Sequence, residues 1–222
     1  MSASLLNESI MQHFFPPNSS PVALQPPDFV KREEKDKVDV SEVSQALQKC
    51  SNSCAPGPDQ VPYGVWKGIH AINYHDILKL INHLLSWLIH PPLLKDSLGI
   101  LLPKPAKGDY DAFASYRVIV LMQTFSKIAQ MIINQRLIKF AKPNGPHPPR
   151  QTGSLRQRAT FDAGISLRHW VQEAQAACLK ARTMFLDIKG GFDKVDHSTL
   201  LQRLQTRDVL EYMVKWISNF IS

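Results

Sequence analysis

The chain has 222 residues, 44% hydrophobic and 20% charged, with a net charge of +7, the balance of a globular protein able to bury one substantial core or two small ones. A membrane-spanning role is excluded, because the most apolar region, residues 77–102, is broken by Lys79, Pro91, Pro92, Lys95 and Asp96, and Met1–Ile10 lacks the basic flank of a secretion signal. Three unevenly spaced cysteines, Cys50, Cys54 and Cys178, make no disulfide framework and no paired zinc motif, which predicts a reducing intracellular compartment, cytoplasm or nucleus, and no disulfide-linked partner.

Residues 1–37 hold Pro16, Pro17, Pro21, Pro26 and Pro27 and end in the charged run from Lys31 to Lys37, the pattern of an irregular linker or tail. Folding is expected from Val38. Asp39 and Glu42 form a capping-box pattern for a helix to about Lys49, with Val40, Val43, Ala46 and Leu47 facing inward. The run Ala55-Pro56-Gly57-Pro58-Asp59-Gln60-Val61-Pro62 predicts a rigid loop. Ile77, Leu80, Ile81, Leu84, Leu85 and Leu88 have the spacing of a helix that Pro91 ends.

Short strands are expected over 99–102 and 118–122, joined by a turn-rich stretch into a hairpin with Lys104 at one shoulder and Arg117 at the other. Helices follow over about 124–141 and 159–180, separated by a proline-rich loop. Between Lys104 and Arg158 stand ten basic residues against two acidic ones, more than the whole excess of positive charge, a footprint for a phosphate-bearing partner. A solvated helix face is the competing reading, because Lys127, Arg136 and Lys139 recur at helical spacing. The mixed order of elements makes the fold class α+β.

The most informative stretch is Met184-Phe185-Leu186-Asp187-Ile188-Lys189-Gly190-Gly191-Phe192-Asp193-Lys194-Val195-Asp196-His197. Thr183–Ile188 reads as a strand that places Thr183, Phe185 and Asp187 on one face and delivers a carboxylate at its end before two glycines break it. Asp187 there is open to a metal. The competing reading is a strand-ending Asp, with Asp196 or Ser198 capping a helix that starts near Thr199. Beyond it, Val209, Leu210, Met213, Val214, Trp216 and Ile217 give an amphipathic helix an apolar side and leave Asp208 and Glu211 on the surface.

This stretch resembles the first catalytic motif of reverse transcriptases of the non-LTR (LINE-type) retrotransposons, F-L-D-I-x-x-A-F-D-x-V-D-H. Other pieces resemble the same family in the same order: HFFP at 13–16, APGPD at 55–59, Leu102-Pro103-Lys104-Pro105, Ser115-Tyr116-Arg117-Val118-Ile119, Lys127-Ile128 and Arg136-Leu137. The resemblance implies right-hand polymerase fingers with the beginning of the palm, residues 38–222, truncated before the family's second acidic motif. It implies RNA-directed DNA synthesis on an RNA template and DNA primer from deoxynucleoside triphosphates, with two Mg²⁺ ions roughly 4 Å apart. A non-enzymatic nucleic-acid-binding remnant of a retroelement is the alternative.

Carried onto this sequence, Lys104 and Arg117 would grip a triphosphate, Asp187 would ligate metal with help from the Ile188 carbonyl, and Phe192 would exclude a 2′-hydroxyl unless it is an ordinary core ring. Arg156 and Arg158 would contact nucleic acid. The sequence departs from the family at Val118 for proline, Gln60 for glycine and Gly191 for alanine, and its Gln151-Thr152-Gly153-Ser154-Leu155-Arg156-Gln157-Arg158 lacks both aromatics of Q-F-G-F-R-x-G-R. It contains no aromatic-Ala-Asp-Asp box, so the fragment is expected to be inactive.

Overall fold

The computed structural model of the chain describes residues 8–10, 12–13, 36–86, 88, 90–106, 110–144, 151–154, 158–188, 191 and 194–221. Its elements run α1 (Val40–Lys49), α2 (Tyr63–Ile72), α3 (Tyr74–Ser86), a short α4 (Pro92–Lys95), β1 (Ser97–Pro103), a 3₁₀ turn (Phe113–Ser115), β2 (Tyr116–Met122), α5 (Thr124–Asn144), α6 (Thr160–Ala176), α7 (His197–Gln205) and α8 (Glu211–Ile221). Helices with a small antiparallel sheet make it α+β, as the sequence predicts. The chain divides into two compact units, residues 1–139 with 195–222, and residues 140–194.

The first unit owns the core. Asp39 accepts from the Glu42 N–H at 2.9 Å and Glu42 returns the bond to the Asp39 N–H at 3.2 Å, so the expected capping box opens α1. Val43, Ala46 and Leu47 of α1 pack with Ile77, Ile81, Leu84 and Leu85 of α3, Ile128, Ala129, Ile132 and Ile133 of α5, and Tyr212, Met213 and Trp216 of α8. Two details of the α3 reading are corrected. Leu80 is half exposed, and the helix stops at Ser86, with Leu88 buried beyond it in a left-handed conformation at φ 53°.

Helix α2 is absent from the sequence reading because Gly64 and Gly68 each weaken a helix by about 1 kcal/mol relative to Ala. Tertiary contacts supply what propensity lacks. The Trp66 indole donates to Thr124 Oγ1 at 2.8 Å, Thr124 in turn donates to the Val61 carbonyl at 2.7 Å, and Lys67 Nζ donates to the Cys50 carbonyl at 2.7 Å.

Arg136 belongs to the basic run that reads as a phosphate footprint, but the structure turns it inward onto Glu42 and removes it from that footprint. Its guanidinium forks onto Glu42, Nε to Oε1 at 2.8 Å and Nη2 to Oε2 at 2.7 Å, and donates to Tyr212 Oη at 2.8 Å and to the carbonyls of Asp36 at 2.7 Å and Lys37 at 2.9 Å. Burial alone would lower its pKa, but the hydrogen bonds and charge of Glu42 and Tyr212 reverse this and hold it above the usual guanidinium range. The side chain is spent inside the fold, tying α1 and the segment entering it to α5 and α8.

Truncating one partner of a buried ion pair leaves the other charge uncompensated. Arg136→Ala should therefore lower unfolding free energy by about 3–5 kcal/mol, followed by urea denaturation with tryptophan fluorescence. The double variant Glu42→Leu/Arg136→Met should recover more than half of that loss.

Candidate functional site

The expected hairpin is present, with β1 longer at both ends and β2 longer at its start than the sequence predicts. β1 and β2 pair antiparallel in the register Ser97↔Met122, Ile100↔Ile119 and Leu102↔Arg117, and the Lys104 N–H donates to the Ser115 carbonyl at 2.8 Å, which carries the register one pair further. Side chains directly opposite share a face. Leu98, Ile100 and Leu102 of β1 and Leu121 and Ile119 of β2 thus form an aliphatic lane, and Arg117 and Lys104 stand diagonally at its end, a spacing of roughly 7–8 Å for such pairs.

The turn that holds this end is braced by Tyr110 and Phe113, which the sequence does not single out, together with Tyr116 and His13 of the quoted motifs. Tyr110 Oη donates to the Lys104 carbonyl at 3.0 Å, the Tyr110 and Tyr116 rings meet edge to face with centroids 6.2 Å apart, and His13 lies 5.5 Å from Phe113. The signal available was aromatic clustering around Ser115-Tyr116-Arg117. At the other end of the ribbon, the APGPD loop presses onto the exit of β2. A Cβ added to Gly57 would sit 2.6 Å from Gln123 N and Met122 C, so only glycine allows the backbones to approach this closely.

In the second unit the carboxylate segment differs from the expectation. Residues 181–188 are irregular, and Met184, Phe185, Leu186 and Ile188 are each at least 80% exposed. The alternation of a strand is there in the sequence, but a strand needs a neighbour's N–H and C=O groups, and the sheet of the described residues is the β1–β2 ribbon of the other unit. Asp187 is exposed. Helix α6, ending at Ala176 rather than Lys180, buries no residue, and Phe161, Ile165 and Trp170 are 48–74% exposed. Its N-terminus is held by Asp162, which accepts from the Ala159 N–H at 2.7 Å.

Asp196, three residues past Asp193, is taken by structure. Its Oδ1 accepts from the Ser198 hydroxyl and from the Thr199 N–H at 2.7 Å, capping α7 as the competing reading anticipated. Hydrogen bonding from the Ser198 hydroxyl, then from the Thr199 side chain and amide, holds its carboxyl down to about 2. Arg158 is exposed, with Nη1 3.5 Å from the Gln151 carbonyl. Phe192 and Arg156 lie outside the described residues. Cys50 is buried, its thiol pushed up by burial, and among the described residues no three His, Cys, Asp or Glu side chains group as a metal site. No helix of the described residues is long and apolar enough to cross a membrane.

With Lys104, Arg117 and Asp187 located, the match along the chain is decisive. Residues 102–222 match the family described as reverse transcriptase (RNA-dependent DNA polymerase). The chain belongs to that family. It is similar to a protein named "RNA-directed DNA polymerase from mobile element jockey" of Drosophila funebris, 26% identical over 173 residues, 77% of this chain and 19% of that protein. It is also similar to a "Probable RNA-directed DNA polymerase from transposon X-element" of Drosophila melanogaster, 26% identical over 166 residues, 74% of this chain and 18% of that protein. A "Transposon TX1 uncharacterized 149 kDa protein" of Xenopus laevis is 27% identical over 168 residues, 76% of this chain and 12% of that protein. This reverse transcriptase chain spans less than a fifth of each of these relatives, and its resemblance to non-LTR retrotransposon reverse transcriptases is borne out.

One departure from the family motif acquires a physical cost here. Gln60, where the family pattern has glycine, adopts φ 56°, a left-handed conformation disfavoured by about 1–2 kcal/mol for a residue with a Cβ. Glycine would relieve that strain while losing more freedom on folding. Gln60→Gly should raise stability by about 0.5–1 kcal/mol, measured as a higher urea midpoint at unchanged slope.

Proposed function

We propose that this chain forms the fingers and the opening of the palm of a non-LTR retrotransposon reverse transcriptase, and that the end of the β1–β2 ribbon grips the triphosphate of an incoming deoxynucleotide. The observation that carries the reading is the diagonal of Lys104 and Arg117 on one face of a hairpin closed by the Lys104–Ser115 bond. Arginine offers a planar fork to two phosphate oxygens and lysine a mobile point charge, so the pair can hold adjacent phosphates without competing for one geometry. The aliphatic lane beside them keeps water from one side of the ligand.

In the same reading Asp187 is a metal ligand with the Ile188 carbonyl beside it, Phe192 is the ring that excludes a ribose 2′-hydroxyl, and Arg156 and Arg158 touch the template. RNA template, DNA primer and Mg²⁺ are the complete polymerase's partners. Among the described residues, the donor set does not fit a pair of Mg²⁺ ions. Asp187 is one exposed carboxylate in an irregular segment, Asp196 is committed to a helix cap, and hard divalent cations need several oxygens on a rigid element. The apolar residues on both sides of Asp187 match a strand covered on both faces, which further strands would order.

Two measurements separate gripping from chemistry. Primer extension on an RNA template by the 222-residue protein should be absent, and extension that vanishes in Asp187→Ala would refute that expectation. A fluorescent deoxynucleoside triphosphate should still bind, with Lys104→Ala and Arg117→Ala each weakening it by about tenfold. Equal affinity in wild type and the double variant would remove the ribbon from the nucleotide site.

A further inference from the structure

We propose that β1 is a self-pairing edge, through which two copies of this chain join antiparallel about a twofold axis at Ile100 into one four-stranded sheet. The argument starts from which backbone groups β1 leaves over. The Lys104 N–H bonds the Ser115 carbonyl, and in an antiparallel pair the bonded positions alternate. The even-numbered residues of β1 therefore turn their N–H and C=O groups toward β2, and Ser97, Gly99, Leu101 and Pro103 turn theirs to the outer edge. All seven residues of β1 are exposed.

Natural edge strands are blunted with charges, bulges or an interior proline. β1 has none of these, for Ser-Leu-Gly-Ile-Leu-Leu-Pro carries no charge and its proline is the last residue. A twofold axis at Ile100 satisfies the phase of the leftover groups. Gly99 and Leu101 exchange both bonds with Leu101 and Gly99 of the second copy, and the Ser97 N–H meets the Pro103 carbonyl. The missing proline N–H costs one bond at each end, where the ladder stops.

The side chains fit the same axis. Ile100 meets Ile100, Leu98 meets Leu102, and one step out Asp96 meets Lys104 at both ends, opposite charges at positions symmetric about the centre. These are the non-bonded pairs of the ladder, whose side chains lie closest. Their shared face is the aliphatic lane, where Leu98, Ile100, Leu102 and Ile119 are 38–51% exposed, and pairing extends that lane across both copies. A two-stranded ribbon is marginal alone, and four strands are not. β2 is the wrong edge for this, because the Gly57 loop crowds its exit.

Sedimentation equilibrium of the intact chain should show a monomer–dimer equilibrium in the micromolar range. Asp96→Lys and Lys104→Asp should each weaken it by about tenfold, because two attractive pairs become repulsive, and the double reversal should restore it. With the exposed Cys54 and Cys178 changed to Ser, Ile100→Cys should cross-link to itself under mild oxidation, since a non-bonded pair brings Cα atoms to about 4.5 Å. A wild type that stays monomeric at the highest soluble concentration overturns the proposal, as does a stronger cross-link from Leu101→Cys than from Ile100→Cys. Failure of the double reversal to rescue overturns the stated register.

Discussion

The fork between Arg136 and Glu42 is the contact on which the rest of the first unit depends, because it joins parts of the chain nearly a hundred residues apart. Glu42 is shared, one oxygen serving both the α1 cap and the guanidinium. Tyr212 brings in α8, and the Asp36 and Lys37 carbonyls bring in the segment that enters α1. A buried ion pair does not by itself stabilise more than a well-packed apolar pair. Its value here is geometric: five donors in a plane set the mutual orientation of three helices, and α5 in turn fixes the exit of β2 through Thr124 and Phe125.

That chain of contacts explains how a solvent-facing ribbon can be held in register. The Gly57 loop is threaded against the junction of β2 and α5, and Trp66 and Val61 are bonded to the first residue of α5. The APGPD segment acts as a wedge whose proline-rich backbone loses little entropy on ordering. Arg117 and Lys104 project from the far end of a lever whose near end is clamped.

Much of this was legible in the sequence where local chemistry decides. Asp39 and Glu42 announce their helix, the helix read over about 124–141 is present as α5, and the strands that carry Arg117 and lead into Lys104 pair as read. What was not legible depends on partners far along the chain. Nothing near Arg136 distinguishes it from Lys127 or Lys139 as a cation. Only Glu42, ninety-four residues earlier, makes it internal. Helix α2 exists against its glycines because of Trp66 and Lys67. Conversely, Thr183–Ile188 has every local mark of a strand and is not one among the described residues, because pairing is not a local property. The roles read for Lys104, Arg117 and Asp187 came from motif order, which composition and periodicity could not have supplied.

The uneven placement of buried side chains has a consequence for how such a chain decays. Gly57, Glu42 and Arg136 are guarded by folding itself, since their loss exposes a clash or a stranded charge and lowers the amount of native protein. Asp187 has no such guard. Exposed and outside the core, it can be exchanged within about 0.5 kcal/mol of stability, so drift would erase it while leaving the helical core intact. Among descendants of this chain, a retained core would therefore record selection for a folded protein, whereas a retained aspartate at 187 would record selection for chemistry.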